Sequence, residues 1–244
     1  NDIIKIRKPV AISRESLLLA HDAKYVDGFL EERLSEKEMR RIGLTPWTSK
    51  MIERTLCLTG GALEATIHAI ESKGITGNMA GGTHHAHRSF GSGYCVFNDL
   101  AISALYAIEK LGIERVAVLD LDVHQGDGTA TILSEEKRAL TISVHCEKNF
   151  PFRKSVSDHD LPIEPLAGDE LYLETVREAL EICLEFEPQL VLYQAGVDGL
   201  ETDSLGKLNV TRDGMRKRNQ YVFEIMLANK IPTVVFMGGG YSCL

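Results

Sequence analysis

No apolar run among the 244 residues approaches the roughly 20 that a membrane-spanning helix needs, although 44% of the chain is hydrophobic. The five cysteines, at 57, 95, 146, 183 and 243, have no paired spacing. That excludes a disulfide framework and favours a reducing compartment. Basic residues are in the minority, 27 Lys and Arg against 35 Asp and Glu, for a net charge of -8. Tight nucleic-acid binding is therefore not expected. The start, Asn1-Asp2-Ile3, lacks a basic-then-apolar leader. A cytoplasmic protein is expected, or a nuclear one in a eukaryote. No internal repeat, low-complexity stretch or linker interrupts the chain, so residues 1–244 read as a single domain with an adequate core.

What is present is a dense group of charges behind a buried strand. Val118-Leu119-Asp120-Leu121-Asp122-Val123-His124-Gln125-Gly126-Asp127-Gly128 puts three carboxylates and an imidazole within eight positions. In an extended chain Asp120, Asp122 and His124 project to one side. They do so at the strand's C-terminal end, where open α/β sheets bind ligands. Carboxylates this close repel one another unless a cation lies among them or each has a partner. Asp and His as first ligands suit zinc or a neighbouring first-row ion. A solvated acidic turn would need neither the histidine at that spacing nor the glycines flanking Asp127.

Three further segments fit that centre. Gly81-Gly82-Thr83-His84-His85-Ala86-His87 places adjacent histidines after a short strand, and imidazoles titrating near neutrality transfer protons well. Their tautomers need fixing, and Asp120 and Asp127 are carboxylates the metal does not require. His21 and His87 read as surface histidines or weak adventitious ligands. Leu190 to Gly196 is an apolar strand leading to Asp198, either a turn cap or a third ligand. Asp122, His124 and Asp198 together would leave an open position for water, the catalytic arrangement of zinc. Pro232 to Tyr241 is a strand running into three glycines and a tyrosine. That tyrosine is either simple packing or a phenol aimed at a developing oxyanion.

The coarse pattern is α/β. Helical sequence covers Ser13 to about Gly74, with Ser13-Arg14-Glu15-Ser16 as a cap region. Strands are expected over 75–80, 115–122, 139–144, 189–196 and 232–237, and helices over 99–111, 127–134, 169–187 and 212–229. Such alternation gives a three-layer αβα fold with a parallel sheet flanked by helices on both faces. Arg153 to Pro165 reads as a long loop, a rim or lid.

These motifs resemble the histone deacetylase family of zinc-dependent deacetylases, with the arginase/deacetylase fold. The carriers are GGTHHA (Gly81 to Ala86), SGYCVFND (Ser92 to Asp99), DLDVHQGDG (Asp120 to Gly128), AGVDGLETDSLG (Ala195 to Gly206) and GGGY (Gly238 to Tyr241). They span roughly the last two-thirds of the chain in the family's order. Arg218-Asn219 and the AGVDGLETDSLGKL stretch give it the flavour of a bacterial, class IV-like branch. The resemblance implies one catalytic zinc on Asp122, His124 and Asp198. It makes His84 and His85 the catalytic imidazoles, oriented by Asp120 and Asp127, and Tyr241 the carbonyl-polarising phenol. Gly93 would accept the substrate amide N–H, and Tyr94 and Phe150 would wall an acyl-lysine channel. A structural potassium would sit among Asp120, Asp122, His124, Ser143 and Val144.

The chain departs from the family's pattern in places. Tyr94 stands where the family usually has Phe. A first strand and rim loop would precede Asn1, and a helix would follow Tyr241. The function implied is hydrolysis of acyl groups from lysine side chains of peptides or proteins. The alternatives are an amidohydrolase for acetylpolyamines or other acylated amines, and an acyl-lysine binding module without turnover. An arginase-type dimanganese centre is disfavoured, because its further carboxylate positions hold Gly126 and Leu200. None of the cysteines has a nucleophile's setting, and Cys95 reads as packing or as a redox-sensitive bystander.

Overall fold

A computed structural model describes residues 4–242. Four helices come first: α1 (Arg14–Leu17), α2 (Ala23–Leu30), α3 (Glu36–Ile42) and α4 (Lys50–Ser72). Strands and helices then alternate: β1 (Ile75–Asn78), α5 (Asp99–Leu111), β2 (Val116–Asp120), α6 (Asp127–Leu133), β3 (Ala139–Cys146) and β4 (His159–Ile163). The remainder is α7 (Asp169–Glu185), β5 (Leu190–Gln194), α8 (Arg212–Ala228) and β6 (Thr233–Phe236).

Side-chain caps set the helix starts. Ser13 accepts from the Ser16 N–H, Asn98 from the Ala101 N–H and Thr211 from the Gly214 N–H. Ser35 and Glu38 form a reciprocal capping box at α3. Left-handed Gly43 and Gly112 close α3 and α5.

All six strands pair in parallel, in the order β1-β6-β5-β2-β3-β4. Every residue of β2 and β5 is buried, as a parallel sheet covered on both faces requires. Alternation divides the core in two. Val116, Val118, Leu190 and Leu192 face a layer with α4 and α5, while Ala117, Leu119, Val191 and Tyr193 face one with α7 and α8. The fold is therefore the αβα sandwich that the alternation implies.

Within residues 153–165 expected to form a loop, His159–Ile163 is an edge strand pairing with β3. Its mixed burial and Pro162 hide it from pattern reading, and an outermost strand is where a residue without an N–H fits. From β2 the chain winds outward through β3 to β4, then returns to the other side of β2 as β5. The ends of β2 and β5, with Asp120 paired to Gln194, lie at the resulting switch point.

Candidate metal and proton-transfer site

Strand β2 stops at Asp120, two residues earlier than expected. Beyond it, side-chain acceptors shape the backbone. The Asp122 N–H donates to Asp120 Oδ1 (3.1 Å), the His124 N–H to Asp122 Oδ1 (3.0 Å) and the Val123 N–H to Asp198 Oδ1 (3.0 Å). The convergence of Asp122 and His124 thus comes from carboxylate-capped turns rather than from strand pleating. Asp198 lies four positions past the end of β5. It is drawn in by the Val197 N–H donating to the Gly239 carbonyl (2.7 Å), while the Gly239 N–H donates to Asp122 Oδ2 (2.7 Å). A side chain at Gly239 would run into the Asp198 carboxylate, so the glycine cluster is needed where it touches the centre.

One ligand atom each from Asp122, His124 and Asp198 lies within 4.8 Å of the other two. His124 Nδ1 is 3.0 Å from both Asp122 Oδ1 and Asp198 Oδ2. All three residues are buried. Burial first, and then the charge of Asp122, push the Asp198 carboxyl up to about 7. Burial opposes a charged His124, but hydrogen bonds to Asp122 and Asp198 outweigh it and raise that imidazole to about 10. Two buried carboxylates gripping one imidazole proton form a site where a divalent cation can replace the proton. The donor set and its spacing fit such an ion. The Gly126 position leaves no room for another carboxylate, since any side chain there would meet Asp120.

Beside this centre stand two histidine–aspartate pairs. His84 Nδ1 lies 2.7 Å from Asp120 Oδ2, and His85 Nδ1 lies 2.7 Å from Asp127 Oδ1. With both Nδ1 atoms engaged, each ring keeps Nε2 for another partner; that of His84 is 3.8 Å from Asp122 Oδ1. The ring centroids are 4.1 Å apart, yet the two imidazoles differ. Burial lowers His84, but the charges of Asp120 and Asp122 overcome it and raise it to about 9. Burial and then the neighbouring His84 charge lower His85 to about 4. A cation on Asp122 would oppose a proton on either ring and pull both values down. His85 is thus the imidazole kept neutral and able to accept a proton.

Asp122, His124 and both histidines line a cavity of about 350 Å³, together with Gly93, Tyr94 and Tyr241, and Asp198 lies against His124. Gly93 is left-handed (φ 53°), and a Cβ there would come within 2.6 Å of the His85 ring. Its carbonyl accepts from the Cys95 thiol (3.2 Å), and burial pushes that thiol well above its ordinary range. Tyr94 and Tyr241 face each other with centroids 6.1 Å apart. Burial and the nearby Asp122 and Asp198 charges raise the Tyr241 phenol, keeping it a donor. Phe150 meets His85 edge to face at 4.8 Å. Ser143 sits opposite Asp120 in the β2–β3 register, with Val144 next to it on β3.

Three supporting residues escaped the sequence reading. Arg218 is fully buried and donates to the carbonyls of Leu121 (3.4 Å), Ala195 (3.1 Å) and Gly196 (2.5 Å) and to the Tyr172 hydroxyl. A fixed positive charge thus stands behind the segments carrying Asp122 and Asp198. His21 is buried rather than superficial. Its Nδ1 is 3.0 Å from the His87 carbonyl, and its Nε2 accepts from the Asn98 N–H (2.9 Å). His87 shares Asp127 with His85, its Nε2 lying 3.1 Å from Oδ2. For Arg218 a signal existed: it falls on the buried stripe Met215, Val222 and Met226 of α8, and an arginine inside an apolar stripe needs a partner.

The profile of the histone deacetylase domain matches residues 2–244. An uncharacterised protein of Picosynechococcus sp. is 42% identical over 240 residues, covering 98% of this chain and 79% of that protein. Histone deacetylase 2 of Arabidopsis thaliana is 30% identical over 249 residues, covering 97% of this chain and 63% of that one. Among solved structures, a histone deacetylase homologue complexed with SAHA superposes with a TM-score of 0.82 at 26% identity. That match covers 96% of this chain and 67% of the homologue's. The chain thus spans between 63% and 79% of the length of these relatives. Among the described residues no helix is long and apolar enough to cross a membrane. With its fold, its motifs and the match over nearly its whole length in agreement, the chain belongs to the histone deacetylase family.

Proposed function

We propose that the protein is a zinc-dependent amide hydrolase that removes acetyl or other acyl groups from lysine side chains. The observation that carries this reading is one cavity lined by Asp122 and His124 of a three-residue candidate metal centre, by two Asp-paired histidines and by a tyrosine. Held by Asp122, His124 and Asp198, a divalent cation supplies Lewis acidity toward a carbonyl and an acidified water. His85, neutral and fixed through Nδ1 by Asp127, accepts the water's proton at Nε2 as attack begins. The same imidazole returns a proton to the departing lysine amine. His84, fixed through Nδ1 by Asp120, turns Nε2 toward Asp122 and stands beside His85 as a second polar group at the reacting centre. Tyr241 donates its phenolic hydrogen to the substrate oxygen as that oxygen gains charge. Gly93 offers a carbonyl to the substrate amide N–H, and Tyr94 and Phe150 flank the acyl-lysine stem. A potassium ion beside Asp120, Asp122, His124, Ser143 and Val144 would be structural. SAHA, bound by the solved relative, should bind here and compete with substrate.

The test is an assay of zinc-loaded protein against acetyl- and longer-acyl-lysine peptides and acetylpolyamines, with SAHA as competitor. Hydrolysis of a lysine peptide, inhibited by SAHA, is expected. Hydrolysis confined to acetylpolyamines would move the assignment to small amines. Binding of acyl-lysine without turnover of any acylated amine would make the chain a binding module.

A further inference from the structure

Tyr241 lies beyond the last strand, on a glycine-rich segment with no helix or sheet of its own to fix it. Residues 202–204 hold it instead. Asp203 Oδ2 accepts the Tyr241 N–H at 2.6 Å, and Asp203 and Ser242 form an antiparallel bridge. The Ser204 N–H donates to the Tyr241 carbonyl (3.3 Å), and the hydroxyls of Thr202 and Ser242 lie 3.4 Å apart. Both main-chain polar groups of Tyr241 are therefore engaged by one neighbouring loop.

That loop is rigid in its own right. Asp203 Oδ1 accepts the N–H groups of Leu205 (2.9 Å) and Gly206 (2.8 Å), which fixes the carboxylate's orientation. Buried Asn149 pins the loop to the floor of the site, donating to the Leu205 carbonyl (2.8 Å) and accepting from the Lys207 N–H (3.0 Å). Gly206 packs so closely on the Asp198 carbonyl that any side chain there would collide with it. The loop thus bears on a proposed metal ligand at one end and grips the tyrosine at the other.

We propose that Asp203 is a positioning residue, a latch that sets the Tyr241 phenol at the distance from the metal centre where it meets the substrate oxygen. The inference rests on the proposed role of Tyr241 in acyl-lysine hydrolysis. A bond from a charged acceptor to a main-chain N–H is among the stronger hydrogen bonds. Loss of such a bond frees the segment, and misplacement of a reacting group by about 1 Å costs on the order of 100-fold in rate.

The experiment is a double-mutant cycle in the zinc-loaded protein, read as kcat and KM on an acetyl-lysine peptide and as amide hydrogen exchange over residues 238–242. Asp203→Ala should lower kcat by about 10- to 100-fold, leave KM within about twofold and keep the zinc. Asp203→Asn retains one oxygen acceptor and should recover part of the loss. In a Tyr241→Phe background Asp203→Ala should add almost nothing, because the hydroxyl it positions is already gone. Exchange at the Tyr241 amide should rise in Asp203→Ala. A kcat equal to wild type, or the same fold-loss in both backgrounds, overturns the positioning role while leaving the hydrolase reading intact. If wild type hydrolyses nothing, the hydrolase reading fails and the exchange result alone decides the latch: unchanged protection at residue 241 overturns it.

Discussion

At the floor of the cavity Asp122 and His124, with Asp120 and Asp198 bonded to them, are at most 8% exposed, whereas at its mouth Tyr94 is 49% and Tyr241 36% exposed. The difference extends to how each part is held. Every floor carboxylate has two or more partners: Asp122 accepts from His124 and Gly239, and Asp198 from Val123 and His124. The mouth is held by loops, Tyr241 by main-chain bonds to Asp203 and Ser204 and Tyr94 by its N–H donating to the Ile42 carbonyl (2.7 Å). Burial makes the floor's electrostatics strong and its geometry fixed, and that is where charge would have to be stabilised in the amide hydrolysis proposed. At the mouth Tyr241 carries a chemical role and depends on its loop for position, whereas Tyr94 can change without disturbing the floor.

If this division holds, substitutions should grade from loss of the metal to modest effects on binding. Asp198→Ala should be the most severe. It removes one of the three proposed ligands and leaves Asp122 and His124 without their shared partner. Zinc content after gel filtration should fall to near zero, and turnover by at least about 10³-fold. His85→Ala should lower kcat by about 10²- to 10⁴-fold while metal analysis still finds zinc, since the imidazole is not a ligand. A near-wild-type rate would remove His85 as the proton acceptor.

Beneath the floor, His21 links the His84-His85 segment to α5 in its neutral form. Burial, the largest effect, pulls its pKa down from 6.5 to about 4. The unfolded chain therefore takes up this proton near pH 6.5 and the native state only near pH 4, so stability should fall as pH drops through that window. The loss attributable to His21 is up to about 3 kcal/mol. His21→Gln keeps a donor and an acceptor but does not titrate. Urea midpoints at pH 7.5 and 5 should show a smaller acid-induced loss in the variant than in wild type. An equal loss would mean that His21 is not the sensor.

The smallest effect belongs to the rim. Tyr94→Ala removes one aromatic wall, and KM should rise by roughly 3- to 10-fold with kcat little changed. A larger fall in kcat than rise in KM would place Tyr94 with the catalytic floor instead.

The same division governs what could be read from the sequence. Buried strands such as Val116–Asp120 announce themselves as apolar runs, and the boundaries of Asp99–Leu111 follow from Asn98 as cap and Gly112 as stop. The floor residues stand out as acidic and histidine-bearing motifs at strand ends, although they meet across 36 to 75 residues of sequence. Edge strand His159–Ile163 was hidden, since pairing on one side only leaves its pattern mixed. Arg218, Asp203 and Asn149 act across sequence separations of 22 to 97, 38 and 56 to 58 residues. A local pattern names no main-chain partner that far away, and the stripe that buries Arg218 shows only that it needs one. His21 and His87 were misread for the same reason, because only the fold brings Asn98 to one and Asp127 to the other.

Titration of metal-free protein with zinc, followed by initial rates on an acetyl-lysine peptide, tests the central claim most directly. A single three-ligand centre predicts activity that rises in proportion to added zinc and levels off at one equivalent. A plateau at two equivalents, or no hydrolysis at saturating zinc by protein that stays folded, would contradict it.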